Sequence, residues 1–335
     1  MLREYMLGLG YTSDNIDKIT NTYPTNKLKD ETLFNAVNKI YNFFLEFGYT
    51  KEQIKKMLIE RPQILCLEIS SIENKIDNFK KIGFSKKIII KITTDFPTIY
   101  SYGTNSILTK VNEYERLGYK REVIIKNAKK YPELFGCSMH SVRNKIEEII
   151  KLGFSYEDVI KITSKNMSII NYTMDNIKNK ISSVMAFDFN YQEVINMIKI
   201  YPSILNFTID NMQSKIFTII SLGYTHTQTI NIIKRNPALF GERPERIKEK
   251  KLFYDSINLF DIFLISPGQL KQSIELSYAR YMFFNSLNIE LSMEDNSYKE
   301  LFIPNKRFET KYKISKEELI KKYNYSEVKN SGRVI

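Results

Sequence analysis

A glycine-type turn followed by an aromatic residue returns seven times in this chain at nearly even intervals. Gly10-Tyr11, Gly48-Tyr49, Gly83-Phe84, Gly118-Tyr119, Gly153-Phe154, Asp188-Phe189 and Gly223-Tyr224 are separated by 38 residues once and by 35 thereafter. A fixed period of this length is the signature of a repeat architecture, in which each unit buries its apolar face only by stacking on its neighbours. The beat therefore predicts an all-α helical-repeat solenoid of about seven units of about 35 residues, spanning residues 8–257. Function becomes a question about the surface those units build.

Within a unit the order of signals is constant. An N-cap candidate follows the turn: Thr12, Thr50, Ser85, Ser155, Asn190 or Thr225, with Lys120 as the exception. Thr50 with Gln53, Asn190 with Glu193 and Thr225 with Gln228 have capping-box spacing, which satisfies two orphan amides reciprocally. A first helix of about 11 residues is predicted, ending at Pro24, Pro62, Pro97, Pro132, Pro202 or Pro237, each 14 residues beyond the turn. Proline lacks the donor a continuing helix needs and restricts the residue before it, so it resets the chain between two helices. Met167 replaces it in the fifth unit. A short buried turn, as in Ile64-Leu65 or Leu239-Phe240, leads to a second helix starting near Ser138, Thr173, Thr208 or Arg243-Pro244. Apolar residues three and four apart, such as Ile72, Ile76 and Phe79, give that helix one buried face. The closing glycine suits a left-handed C-cap, and the aromatic residue after it is expected to pack back into the core.

One charged position keeps the same register. Lys39, Lys75, Lys110, Lys145, Lys180, Lys215 and Lys250 recur in the second helix, each three residues after an apolar position and beside the buried stripe. Stacking would set their ammonium groups in a row, and a row at repeat spacing suits the phosphates of a regular polyanion. The alternative is that these lysines pass along the apolar seam with their heads in water or pair with acids of the next unit. Arginine is scarcer. Arg143, Arg235, Arg243, Arg246 and Arg280 are the candidates for base or phosphate contacts, because a guanidinium can fork onto phosphate or a guanine edge.

The formal charge of +12 supports a polyanionic partner. Two cysteines, Cys66 and Cys137, supply neither a disulfide framework nor a CxxC pair, which favours a reducing compartment. His140 and His226 lack the partners a zinc site requires. Phosphate-binding loops, dinucleotide fingerprints and nucleophile elbows are missing, so no enzyme, metal or cofactor is expected. Charges interrupt every apolar run short of a membrane span. Met1-Leu2-Arg3-Glu4-Tyr5 shows no signal or leader pattern, and the expected address is a nucleoid, cytoplasm or organelle matrix. Past Leu259 the period is lost. Residues 258–335 read as a helical C-terminal cap, with a helix around Gln269 to Leu287, a polar helix near Lys316 to Tyr323 and a frayed Asn330–Arg333 end.

The string Leu/Ile-Gly-Tyr/Phe-Ser/Thr, first helix, Pro-x-Leu/Ile-Leu/Phe, then Ile-x-x-Lys-Ile resembles the mitochondrial transcription termination factor (mTERF) family. Phe47-Gly48-Tyr49-Thr50 with Pro62-Gln63-Ile64-Leu65, and Leu222-Gly223-Tyr224-Thr225 with Pro237-Ala238-Leu239-Phe240, carry the resemblance. It implies a left-handed superhelix of triangular units, each with two helices and a 3₁₀ turn after the proline. It also implies a grip on nucleic acid along a basic path, formed here by the repeat lysines and by Arg143, Arg235, Arg243 and Arg246. The first expectation is a monomer that binds double-stranded DNA in transcription regulation or termination. Structured RNA is the second partner considered, and a protein-binding scaffold is the third reading.

Overall fold

The computed structural model describes residues 1–103 and 105–326, so the Asn330–Arg333 end lies outside the described residues. All regular elements among those residues are helical. The chain divides into two compact units, Met1–Tyr172 and Thr173–Ile335, each taken by itself below.

Met1–Tyr172 holds an opening helix, Leu2–Gly8, and then a repeated order of helix, 3₁₀ turn and helix. In the second repeat these are Lys51–Glu60, Pro62–Cys66 and Ile69–Ile82; in the third, Lys86–Asp95, Pro97–Ser101 and Ser106–Arg116. The reset at proline is visible in the backbone. Arg61 leaves the helix at φ −138° and ψ 74°, and Pro62 takes the first position of the 3₁₀ turn. Thr50, Asn190 and Thr225 all close the expected capping boxes. Thr12 and Ser155 close two more, with Asn15 and Asp158 as partners.

Consecutive repeats pack like on like. Helix Lys51–Glu60 lies against Lys86–Asp95, and Ile69–Ile82 against Ser106–Arg116, while successive 3₁₀ turns touch each other. The same scheme holds in Thr173–Ile335, where Tyr191–Ile200 packs on His226–Arg235 and Ile209–Ser221 on Pro244–Ser256. Within each unit these repeats thus close their apolar faces on their neighbours.

The glycine and aromatic beat is structural. Gly48, Gly83 and Gly118 sit at φ 99°, 108° and 91°, and Asp188 adopts the same left-handed conformation at φ 68°. All seven following aromatics are buried. Phe84 meets Phe79 edge-on with centroids 5.5 Å apart, and Tyr119 meets Tyr114 at 5.6 Å, so each ring folds back on the helix it follows. Where the ring is tyrosine, its hydroxyl can reach into the next repeat. Tyr49 bonds Thr93 Oγ1 at 2.6 Å and Tyr119 bonds Thr163 Oγ1 at 2.7 Å.

The chain past Leu259 keeps the repeat order that its sequence conceals. Helix Ile262–Ile265, 3₁₀ turn Pro267–Lys271 and helix Ile274–Ser286 form a further unit with a shortened first helix. Asn258 stands at the glycine position with φ 59°, and buried Leu259 replaces the aromatic. Pro267 comes 30 residues after Pro237 instead of 35, which breaks the period without breaking the fold. The helix expected from Gln269 therefore starts at Ile274, because its first residues belong to the 3₁₀ turn. Helices Asn305–Tyr312 and Lys316–Lys322 complete this end, and the latter covers Ile274–Ser286.

Candidate nucleic-acid interface

The second-helix lysines hold their register, but three of them, Lys110, Lys180 and Lys250, send their ammonium groups into the seam between repeats. Lys110 Nζ donates to the carbonyl oxygen of Phe135 at 2.9 Å and also to that of Cys137, at the end of the next repeat's 3₁₀ turn. Lys180 donates to the Phe207 carbonyl at the equivalent place. Lys250, only 3% exposed, bonds the Leu270 carbonyl at 2.6 Å and Glu242 at 3.0 Å. Lys75 and Lys215 are buried as well, and Lys75 bonds Ser71 Oγ at 3.1 Å. Burial pushes the pKa of Lys75, Lys110 and Lys180 below the usual lysine value. A 3₁₀ turn ends in carbonyls without internal partners, and a cation from the preceding repeat satisfies them. Charge delivered at repeat spacing beside an apolar stripe goes inward here.

Lys39 and Lys145 differ. Lys39 has a side chain 61% exposed and lies 3.6 Å from Glu68, while Lys145 is half-buried and pairs with Glu148 at 2.9 Å.

The arginines also separate by place. Arg280 occupies the lysine position of the shortened unit and does the lysine's work. Its Nη1 donates to the carbonyls of Leu301 and Ile303, both at 2.7 Å, and its Nη2 to Asn305 Oδ1 at 3.0 Å. The guanidinium lies 4.3 Å from the Phe308 ring centroid, and burial lowers its pKa to about 10. At 1% exposure it is an interior brace of the C-terminal end, which corrects the expectation of a base or phosphate contact. Arg235 forks onto the carbonyls of Leu264 and Ile265 at 2.6 and 2.8 Å, closing the end of helix Ile262–Ile265. Arg246 is half-buried between Glu249 and Glu275, and the hydrogen bond it donates to Glu275 holds its pKa above the usual value. Arg243, at the N-cap of Pro244–Ser256, is exposed, as is Arg143, which lies 3.8 Å from Glu113.

A second lysine register is the one that faces solvent. Lys18, Lys56, Lys91, Lys126 and Lys161 sit six residues after the N-cap of the first helix in all five repeats that begin in Met1–Tyr172. They follow the spacing of the glycine beat, and all five are exposed. The equivalent residues in Thr173–Ile335 are the uncharged Asn196 and Asn231. Lys56 lies 3.6 Å from Asp95, and Lys91 pairs with the same carboxylate at 2.5 Å. Surface pairs of that kind are weak and yield readily to a denser anion. The signal was present in the sequence at the same spacing, on the other helix.

The mTERF family model matches residues 3–220. The chain belongs to the mTERF family. The match takes in the whole exposed lysine register and most of the seam register, so both belong to the mTERF repeat region. Members of this family are non-catalytic and are associated with nucleic-acid binding. No curated protein matches the chain. Among the described residues no group of three or more His, Cys, Asp or Glu side chains could hold a metal ion, and no helix is long and apolar enough to cross a membrane.

Proposed function

We propose that this mTERF protein is a monomeric, sequence-influenced double-stranded DNA-binding solenoid that acts in transcription regulation or termination. Its seven units would follow the left-handed superhelix expected of the family. The observation that carries the reading is the exposed register Lys18, Lys56, Lys91, Lys126 and Lys161, one ammonium group per repeat. Lysines so spaced neutralise phosphates and set the position of a duplex without reading its sequence. Of the second-helix lysines and the arginine candidates, Lys39, Lys145 and the exposed Arg143 and Arg243 are also within reach of solvent. The two arginines are our choice for base contacts, because a guanidinium can engage a guanine edge bidentately.

Competition between a short DNA duplex and a matched RNA hairpin, measured at two salt concentrations, tests the proposal. Preference for the duplex, with affinity falling steeply as salt rises, is the expected result. Preference for the hairpin would transfer the reading to structured RNA, whose A-form helix is recognised largely by shape and 2′-hydroxyls. Indifference to both at low salt would remove nucleic acid altogether and leave the protein-scaffold reading.

A further inference from the structure

A cleft of about 640 Å³ opens in Met1–Tyr172 where three consecutive repeats meet. Gly48 and Gln53 border it from the second repeat, Lys86, Lys87 and Lys91 from the third, and Lys129 from the fourth. Lys86, Lys87 and Lys129 make no ion pair among the described residues. The one carboxylate in the wall, Asp95, is already shared by Lys91 at 2.5 Å and Lys56 at 3.6 Å. Lys86 is held over the turn at Gly48, with its Nζ 5.3 Å from the Phe47 ring centroid. A Cβ at Gly48 would come within 3.1 Å of that side chain, so the glycine leaves the space in which the lysine lies. The positive end of helix Lys86–Asp95 opens at the same rim, and the Ser85 hydroxyl does not cap it.

Like charges gathered on one wall repel each other, and a compact anion relieves that repulsion. A single phosphate would match only part of the charge. We propose that this cleft is a binding site for a small ligand carrying linked phosphates, of the nucleoside triphosphate or tripolyphosphate class. Lys87 and Lys129 contact the phosphate run, Lys86 meets it over the Gly48 turn, and Lys91 exchanges Asp95 for it. Neutral Thr94 and apolar Ile90 complete the lining, so no further carboxylate opposes the ligand. The site stands independently of the nucleic-acid reading. Only one consequence rests on that reading: Lys91 belongs to the exposed register too, so occupancy would compete with a duplex.

Titration calorimetry of the full chain with inorganic tripolyphosphate, and then with adenosine triphosphate, tests the site. The variants are K87Q/K129Q in the cleft and K126Q/K161Q, which removes the same charge from exposed positions outside its lining. Saturable one-to-one binding is expected, weakened about tenfold or more by K87Q/K129Q, since two charge-assisted contacts are lost. K126Q/K161Q should stay within about twofold, because exposed charges beyond the cleft are largely screened. Equal weakening by both variants would overturn the proposal in favour of diffuse attraction, and so would absence of saturation. A third arm separates the other source of linked phosphates. If a short DNA duplex loses affinity in K87Q/K129Q while tripolyphosphate does not bind, the cleft serves the nucleic-acid backbone and the small-ligand proposal fails.

Discussion

The ammonium nitrogen of Lys250 lies 2.6 Å from the carbonyl oxygen of Leu270, which belongs to the 3₁₀ turn of the next repeat. Arg280 stands in the same relation to Leu301 at 2.7 Å, one unit further on. Lys110 and Lys180 make the corresponding bonds to Phe135 and Phe207. In these four units a cation in the second helix thus ties its repeat to the following turn. The interaction is worth more inside the seam than on the surface, because water does not compete for the carbonyl.

Replacing a seam lysine should therefore cost stability and not ligand. Lys110→Met keeps the aliphatic stem but leaves the Phe135 and Cys137 carbonyls without their donor. We expect a loss of about 1–3 kcal/mol, the usual penalty for orphaning buried polar groups. A urea midpoint for Lys110→Met equal to that of the unaltered chain would remove the bracing role.

The left-handed turn gives a paired prediction of opposite sign. Gly83 sits at φ 108°, and a Cβ there would also touch Ile125 at 3.4 Å. Gly83→Ala should destabilise by about 1–2 kcal/mol from the left-handed conformation alone. Asp188 already bears such strain at φ 68°. Its exposed contact with His226, 3.7 Å away, adds little. Asp188→Gly should raise stability by about 0.5–1 kcal/mol, and thermal unfolding of both variants checks the two signs.

Alkaline pH should weaken the fold through its buried tyrosines. Burial raises the pKa of Tyr49, Tyr100, Tyr114 and Tyr254, and pushes Tyr119 up to about 12. A folded pKa above the unfolded one contributes stability that is complete below about pH 10 and is lost as pH rises towards the folded value. Each such tyrosine removes up to about 1.4 kcal/mol per pH unit across that window. Lys75, Lys110 and Lys180 act in the opposite direction, since their lowered pKa makes the folded state release protons first; the buried tyrosines outnumber them. The melting temperature should drop steeply above about pH 10, with the buried tyrosines' share of the tyrosinate absorbance appearing together with unfolding. Full tyrosinate absorbance reached while the chain stays folded would contradict this.

Local chemistry made much of the fold legible in sequence. Glycine at a left-handed cap, proline at a helix reset and Thr50 with Gln53 in a capping box each have one physical use, and the structure puts them to it. The unit beginning at Asn258 was hidden because asparagine replaces glycine and the first helix is shorter, so periodicity had nothing to match. The direction of a long side chain was harder to read. Lys75 and Lys91 both recur at 35 residues, yet one is buried and the other exposed. Spacing places a Cα on a helix face, whereas the ammonium group goes where carbonyls without partners or open water receive it. Arg280 illustrates the same limit, because its burial depends on Leu301 and Ile303, carbonyls contributed by a later turn.

The central claim is a division of labour between the two lysine registers, and the salt dependence of duplex binding measures it. The logarithm of affinity for a short DNA duplex should be followed against the logarithm of salt concentration in the unaltered chain and in two variants. Lys18, Lys56, Lys91, Lys126 and Lys161 all changed to Gln should flatten the slope by up to roughly 4.5, the value expected when five phosphate contacts are lost. Lys110, Lys180 and Lys250 all changed to Met should lower the melting temperature and leave the slope of the folded protein unchanged. A slope that stays the same in the first variant and flattens in the second would contradict the assignment of both registers.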